Sequence, residues 1–255
     1  MPRSRSPRRR PETRNRRPQA PRNLGALRLL LLTVPIVIVA GLAYTAMRSP
    51  WLTVQDVRVS GAQTLDTASL AELSGLQGQS MLRLDVDQAR SRLLEVPQVG
   101  AVSVHRSWPN TVTLRITERI AVAIWTVGGV DYAVDASGVV LGPGAPAGPA
   151  PRIVEPDSGR VMSPGDRVHP DAIALAQRIF EESPRFLGES IDQLEYNPAI
   201  GVTAVFQSGL RVTFGDERAY DYKVAVLAKL LDQATAAGRP PHQVDLRFGT
   251  RVTYD

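Results

Sequence analysis

Nineteen consecutive residues without a charge, Leu29 to Met47 (LLLLTVPIVIVAGLAYTAM), stand between Arg28 and Arg48 and constrain the chain more than any other stretch. As a helix rising ~1.5 Å per residue the run covers about 28 Å, close to the ~30 Å hydrocarbon core of a bilayer. A buried helix of a soluble domain would carry a polar face, and this run has none. Pro35 lies within its first two turns, and lipid-embedded helices tolerate proline. A cleaved secretory signal is the rival reading, but its apolar part is usually ~7–15 residues long and ends in a small-x-small site. Here the run closes on Ala43-Tyr44-Thr45-Ala46-Met47-Arg48, a weak match. Residues 29–47 read as an uncleaved membrane anchor.

Charge orients that anchor. Residues 1–28 hold ten arginines against the single acid Glu12, so the basic character of the chain belongs to this tail and the remainder is mildly acidic. The positive-inside rule then keeps the N-terminus cytoplasmic and exports residues 49–255. The tail is rich in Pro and Arg without apolar periodicity, so it is expected to be disordered. It could hold anionic headgroups or bind nucleic acid nonspecifically, although topology explains its charge without either role.

The exported part opens as strand, helix, helix, strand, strand. Val57 and Val59 alternate with polar neighbours and Gly61 ends the strand. Asp66 or Thr67 caps a helix carrying Leu70 and Leu73 that stops at Gly75, with Ser69 and Glu72 at capping-box spacing. A second helix starts near Asp85 or Asp87, carries Ala89, Leu93 and Val96, and breaks at Pro97. A hairpin follows, Val102 and Val104 against Val112, Leu114 and Ile116, joined by Ser107-Trp108-Pro109-Asn110.

From Ile120 strands dominate. Ala121–Trp125, a Gly128-Gly129 turn, Val130–Asp135, a Ser137-Gly138 turn and Val139–Leu141 follow one another, then a loop over 142–151, with Ile153-Val154 positioned to rejoin the sheet. Pro170 opens a helix over Asp171–Ser183 that Pro184 is expected to close, and His169 sits at its N-cap position. Strands at Ile191–Tyr196, Val202–Phe206 and Leu210–Phe214 precede a helix over Tyr220–Ala237. Its stripe is Tyr220, Val224, Leu227, Leu231 and Ala234, with Lys223 and Asp232 off it. Val244 to Phe248 alternates, and Gly249 to Asp255 is expected to continue that strand.

This order resembles a POTRA domain, and Val57-Arg-Val59-Ser-Gly61, Arg106-Ser-Trp108-Pro109-Asn110 and Thr117-Glu118-Arg119 are similar to that of the FtsQ/DivIB family. The resemblance continues in Tyr132-Ala-Val134-Asp135-Ala-Ser-Gly138, Gly209-Leu-Arg-Val212-Thr-Phe-Gly215, Lys223 with Leu227, and Val244-Asp245-Leu246-Arg247-Phe248. The expected class is α+β: a disordered basic tail (1–28), one transmembrane helix (29–47), a POTRA domain (51–119) and a mixed β-sheet domain with flanking helices (120–255).

Catalysis finds little footing. Without cysteine there is no thiol nucleophile, Cys-ligated metal or disulfide, and His105, His169 and His242 are too far apart for a helical metal motif. No nucleophile elbow, phosphate loop or His-Glu-x-x-His occurs. Asp131, Asp135, Glu181 and Glu182 read as turn or surface residues. The expectation is a non-enzymatic division scaffold without cofactor, small-molecule substrate or specific nucleic-acid partner. The resemblance implies a bitopic divisome protein at the septum that binds FtsB, and through it FtsL, near the C-terminal sheet edge. Carried onto this chain, the docking strand is Phe248, Gly249, Thr250, Arg251 and Val252, with Val244 and Leu246 in the core. Two alternatives stay open: a POTRA-type translocation component, and a membrane-tethered nucleic-acid binder using the arginine tail.

Overall fold

A computed structural model describes residues 24–47, 50–156, 159–247 and 253–254. The basic tail, over residues 1–23, lies outside the described residues. Two compact units divide at residue 50. In the first, helix α1 (Leu24–Met47) runs unbroken through Pro35. The side chains described in α1 are those of 31–42, 44 and 45, all exposed, a stretch rising only about 22 Å. Among the described residues, therefore, no helix is long and apolar enough to cross a membrane.

The second unit, residues 51–255, contains two sheets with separate cores. The first sheet has the order β1-β3-β2, from β1 (Asp56–Ser60), β2 (Val99–Ser107) and β3 (Thr111–Glu118). The central strand β3 runs parallel to β1 and antiparallel to β2. Two helices cover one face. Helix α2 (Thr67–Ser74) starts at Asp66, whose carboxylate accepts from the Ala68 and Ser69 amides, and ends at Gly75 with φ +64°. Ser69 gives its hydroxyl proton to Asp66, so the cap is closed by that short contact. Helix α3 (Val86–Leu94) is capped by Asp85 through the Gln88 amide. Leu70, Ala89 and Leu93 meet Val102, Val112, Leu114 and Ile116 in the core, whereas Leu73 stays partly in solvent.

The second sheet has nine strands in the order β12-β11-β10-β9-β8-β7-β4-β5-β6. Hairpin β4 (Ala121–Val127) and β5 (Val130–Asp135) turns on Gly128 and Gly129, both with positive φ, and β6 (Val140–Pro143) forms one outer edge. Strand β7 (Arg152–Glu155) enters the middle, parallel to β4 and to β8 (Ile191–Asn197). Strands β9 (Gly201–Phe206) and β10 (Arg211–Gly215) continue antiparallel, β11 (Gln243–Asp245) adds parallel to β10, and β12 (Thr253–Tyr254) turns back antiparallel to β11. Helix α4 (Pro170–Phe186) packs on β4, β8 and β9, and α5 (Tyr220–Ala236) connects β10 to β11.

Three sequence expectations change here, and that of His169 at the N-cap position holds. Helix α4 does not stop before Pro184 but runs through it to Phe186. Proline there costs only one hydrogen bond in the final turn, and the Leu187 amide still donates to the Ser183 carbonyl. His169 holds the N-cap position without a capping hydrogen bond, its ring lying 5.2 Å from that of Tyr196. Residues 244–255 are not one strand, because the chain reverses between β11 and β12. Asp135 is buried rather than a surface acid.

Candidate functional site

The C-terminal edge of the large sheet is assembled from the helix inward. At the end of β10, Asp216 and Phe214 present backbone carbonyls to the Lys223 ammonium at 2.8 Å and 2.7 Å. Lys223 is 5 % exposed, so the first turn of α5 is tied to the strand that precedes it. Tyr220 stacks on Phe214, with the Arg178 guanidinium 4.2 Å above its ring. Burial is the chief cause that pushes the phenol well above its ordinary value. At the far end Gly238 takes φ +69° and Pro240-Pro241 steer the chain back. The Arg211 amide then donates to His242 and the Leu246 amide to Thr213, setting the register of β11.

The two faces of this edge differ, as the period of two demands. Val212, Phe214, Val244 and Leu246 enter the core beneath the helices, as expected for Val244 and Leu246. The opposite face is polar. Arg211 donates to Glu195 at 3.0 Å across β9, and Thr203 and Thr213 share a hydrogen bond of 3.2 Å. Asp245 accepts from the backbone amide and guanidinium of Arg247, and that hydrogen bonding holds its carboxyl below the usual carboxylate range despite partial burial. Gly201 must be glycine: at φ +89° an added Cβ would lie 2.1 Å from the Gly215 carbonyl oxygen.

The edge itself is sparse. Among the described residues, two register pairs, Val244 with Tyr254 and Asp245 with Thr253, join β12 to β11, and β12 stands last in the sheet order. Phe248, Gly249, Thr250, Arg251 and Val252, the expected docking strand, lie outside the described residues; in sequence they join β11 to β12.

Two positions escape a reading of pattern alone. Lys223 was expected off the buried stripe of α5, yet it is three residues from Tyr220 and four from Leu227, which puts it on their face. Its charge hides that placement. Arg119 and Asp135 form the other. Arg119 donates to Asp135 at 2.6 Å, and Asp135 also accepts from the Ser137 and Val139 amides. Burial alone would raise the Asp135 carboxyl, but these donors hold it below its ordinary value. The pair joins the end of the small sheet to the large one, beside a bond of 2.7 Å from Gln98 to the Leu141 carbonyl. Among the described residues no cluster of His, Asp and Glu could hold a metal ion.

Comparison with known proteins gives the arrangement a family. Residues 52–119 match the POTRA domain of FtsQ type, and residues 123–247 match the C-terminal domain of cell division protein FtsQ/DivIB. The second match ends one residue before Phe248. The chain is 32% identical over 195 residues to cell division protein FtsQ of Chloroflexus aggregans, covering 76% of this chain and 70% of that one. It is 27% identical over 199 residues to FtsQ of Corynebacterium glutamicum, covering 77% and 87% respectively. With both modules matched in order and a relative matched over most of its length, this chain belongs to the FtsQ/DivIB family of cell division proteins.

Proposed function

We propose that the chain is a single-pass membrane scaffold of the bacterial divisome that receives a strand of FtsB, and through it FtsL, on the β12 edge of its large sheet. The observation that carries this reading is the edge just described: among the described residues, β12 stands last in the sheet order, with no further strand beside its outer amides and carbonyls. Such a row is satisfied by an added strand from another polypeptide. Residues 248–252 lengthen that edge in this reading, with Phe248 as apolar anchor and Arg251 as ion-pair donor.

The anchor is the α1 segment. Its support is the sequence, nineteen uncharged residues from Leu29 to Met47, about 28 Å of rise if helical throughout. The arginines before it leave the N-terminus inside and residues 49–255 outside. The scaffold is non-enzymatic: its work is backbone and surface complementarity at the septum.

The test is capture of FtsB by the exported part carrying Thr250→Pro, which removes one backbone donor from the edge. Capture should fall while folding persists. Undiminished capture overturns the docking assignment. Depletion in cells should give filaments.

A further inference from the structure

One end of the POTRA domain gathers exposed apolar side chains that neither the core nor the docking edge uses. Three chain segments are stitched together there. The Gln55 amide donates to the Asn110 carbonyl at 2.9 Å and the Asn110 side chain donates to Gln55 Oε1 at 3.0 Å, clipping the β2–β3 turn to the entry of the domain. The Met81 amide donates to the Leu52 carbonyl at 2.7 Å, and Arg106 reaches the Met81 and Leu84 carbonyls, fixing the loop before α3 to the same end.

From this end project Trp51, 77% exposed, Trp108, 57% exposed, and Leu82, 46% exposed, with Arg83 beside Leu82 in the exposed loop. Nearby acids are already engaged: Asp56 pairs with Arg58, and Asp85 caps α3. Large amphipathic rings in water are unfavourable, and tryptophan is the residue that bilayer interfaces favour. Chain length supplies the second argument. Three residues separate Met47, the last of α1, from Trp51 in sequence, so Trp51 directly follows the proposed span along the chain.

We propose that this end of the POTRA domain is a foot that rests on the outer face of the bilayer, with Trp108, Trp51 and Leu82 in the headgroup layer and Arg83 on lipid phosphates. The proposal rests on the single-span reading above.

The tryptophan inventory makes the foot measurable. The chain has three tryptophans, and Trp125 is fully buried, its indole donating to Glu155. In the full chain carrying Trp51→Phe, reconstituted in phosphatidylcholine and phosphatidylglycerol vesicles, Trp108 is the exposed reporter. At an interfacial depth of ~5–10 Å it meets lipids brominated near the headgroup end of their acyl chains. The expected result is strong quenching of a blue-shifted component, reduced when Leu82→Ser and Arg83→Ala are added. If the chain is retained through carbonate extraction but Trp108 is unquenched, the foot is wrong and the patch belongs to a polypeptide partner. Release of the chain by carbonate overturns the span reading, and the foot with it.

Discussion

Replacing Lys223 by methionine isolates the contribution of one ammonium, because the aliphatic stem is kept. In the folded protein that ammonium donates to the Phe214 carbonyl at 2.7 Å, to the Asp216 carbonyl at 2.8 Å and to Asp216 Oδ1 at 3.3 Å. The carboxylate is 55% exposed and turns to water when the ammonium is gone. The carbonyls cannot, least of all that of Phe214 inside the core. Orphaning a buried acceptor costs ~1–3 kcal/mol, and a hydrogen bond from a charged donor is worth ~1.5–3 kcal/mol. Relief from burying a cation offsets part of this, which leaves an expected loss of about 2–3 kcal/mol for Lys223→Met. Residues 51–255 are the material for the measurement, since both buried cores lie within them. Urea unfolding should show a lower midpoint at unchanged m-value. Asp216→Asn is the control and should cost under about 1 kcal/mol. Equal losses for the two variants would mean that the ion pair, not the carbonyl tether, holds α5, and a loss below about 0.5 kcal/mol would refute the tether altogether.

Other sites give sharper single outcomes. Glu118 accepts from the Gln63, Thr64 and Leu65 amides and the Thr64 hydroxyl; burial opposes its charge, yet these four donors lower its carboxyl to about 2. The stability it lends is complete above its ordinary 4.5 and is lost as pH falls through about 2. Glu118→Gln should therefore cost about 1–2 kcal/mol at neutral pH and flatten the acid limb of a pH–stability curve. Arg119→Met should cost about 3 kcal/mol because it strands the buried Asp135 carboxylate, and the double variant with Asp135→Asn should recover part of that loss in a mutant cycle. Gly201→Ala should lose more than about 2 kcal/mol in thermal unfolding, since positive φ and the Gly215 carbonyl act together.

How much of this could be read in the chain depends on the distance over which each cause acts. Caps are local, so Asp66, Asp85 and Gly75 mark α2 and α3 without any fold. Alternation over five or more residues revealed β3 to β5 and β8 to β10, and the stripe of α5 was plain from Tyr220 to Ala234. The order of strands in space was not visible: nothing in Arg152–Glu155 announces that four residues lie between β4 and β8. Lys223 and Asp135 were misplaced for one reason, that a charge suggests water until its partners are known, and those partners are carbonyls and amides from other segments. The reversal between β11 and β12 breaks an apparently continuous polar–apolar rhythm, which shows that rhythm fixes faces but not where a strand ends. At the C-terminal edge of the large sheet the apolar face was legible through Val244 and Leu246.

The narrow pairing of β7 has a mechanical meaning. In the strand order, the path from the β4 side of the large sheet to its C-terminal edge passes through that strand, which pairs with β8 at Ile153 with Leu194 and Val154 with Glu195. A pull on the far edge while the other end is held would load this seam, as it would the equally short pairing of β12 with β11 among the described residues. Helix α4 lies across it, touching β4 on one side and β8 and β9 on the other, with Ile173, Ala176 and Ile179 fully buried. That helix splints a seam that the sheet itself holds with two residue pairs.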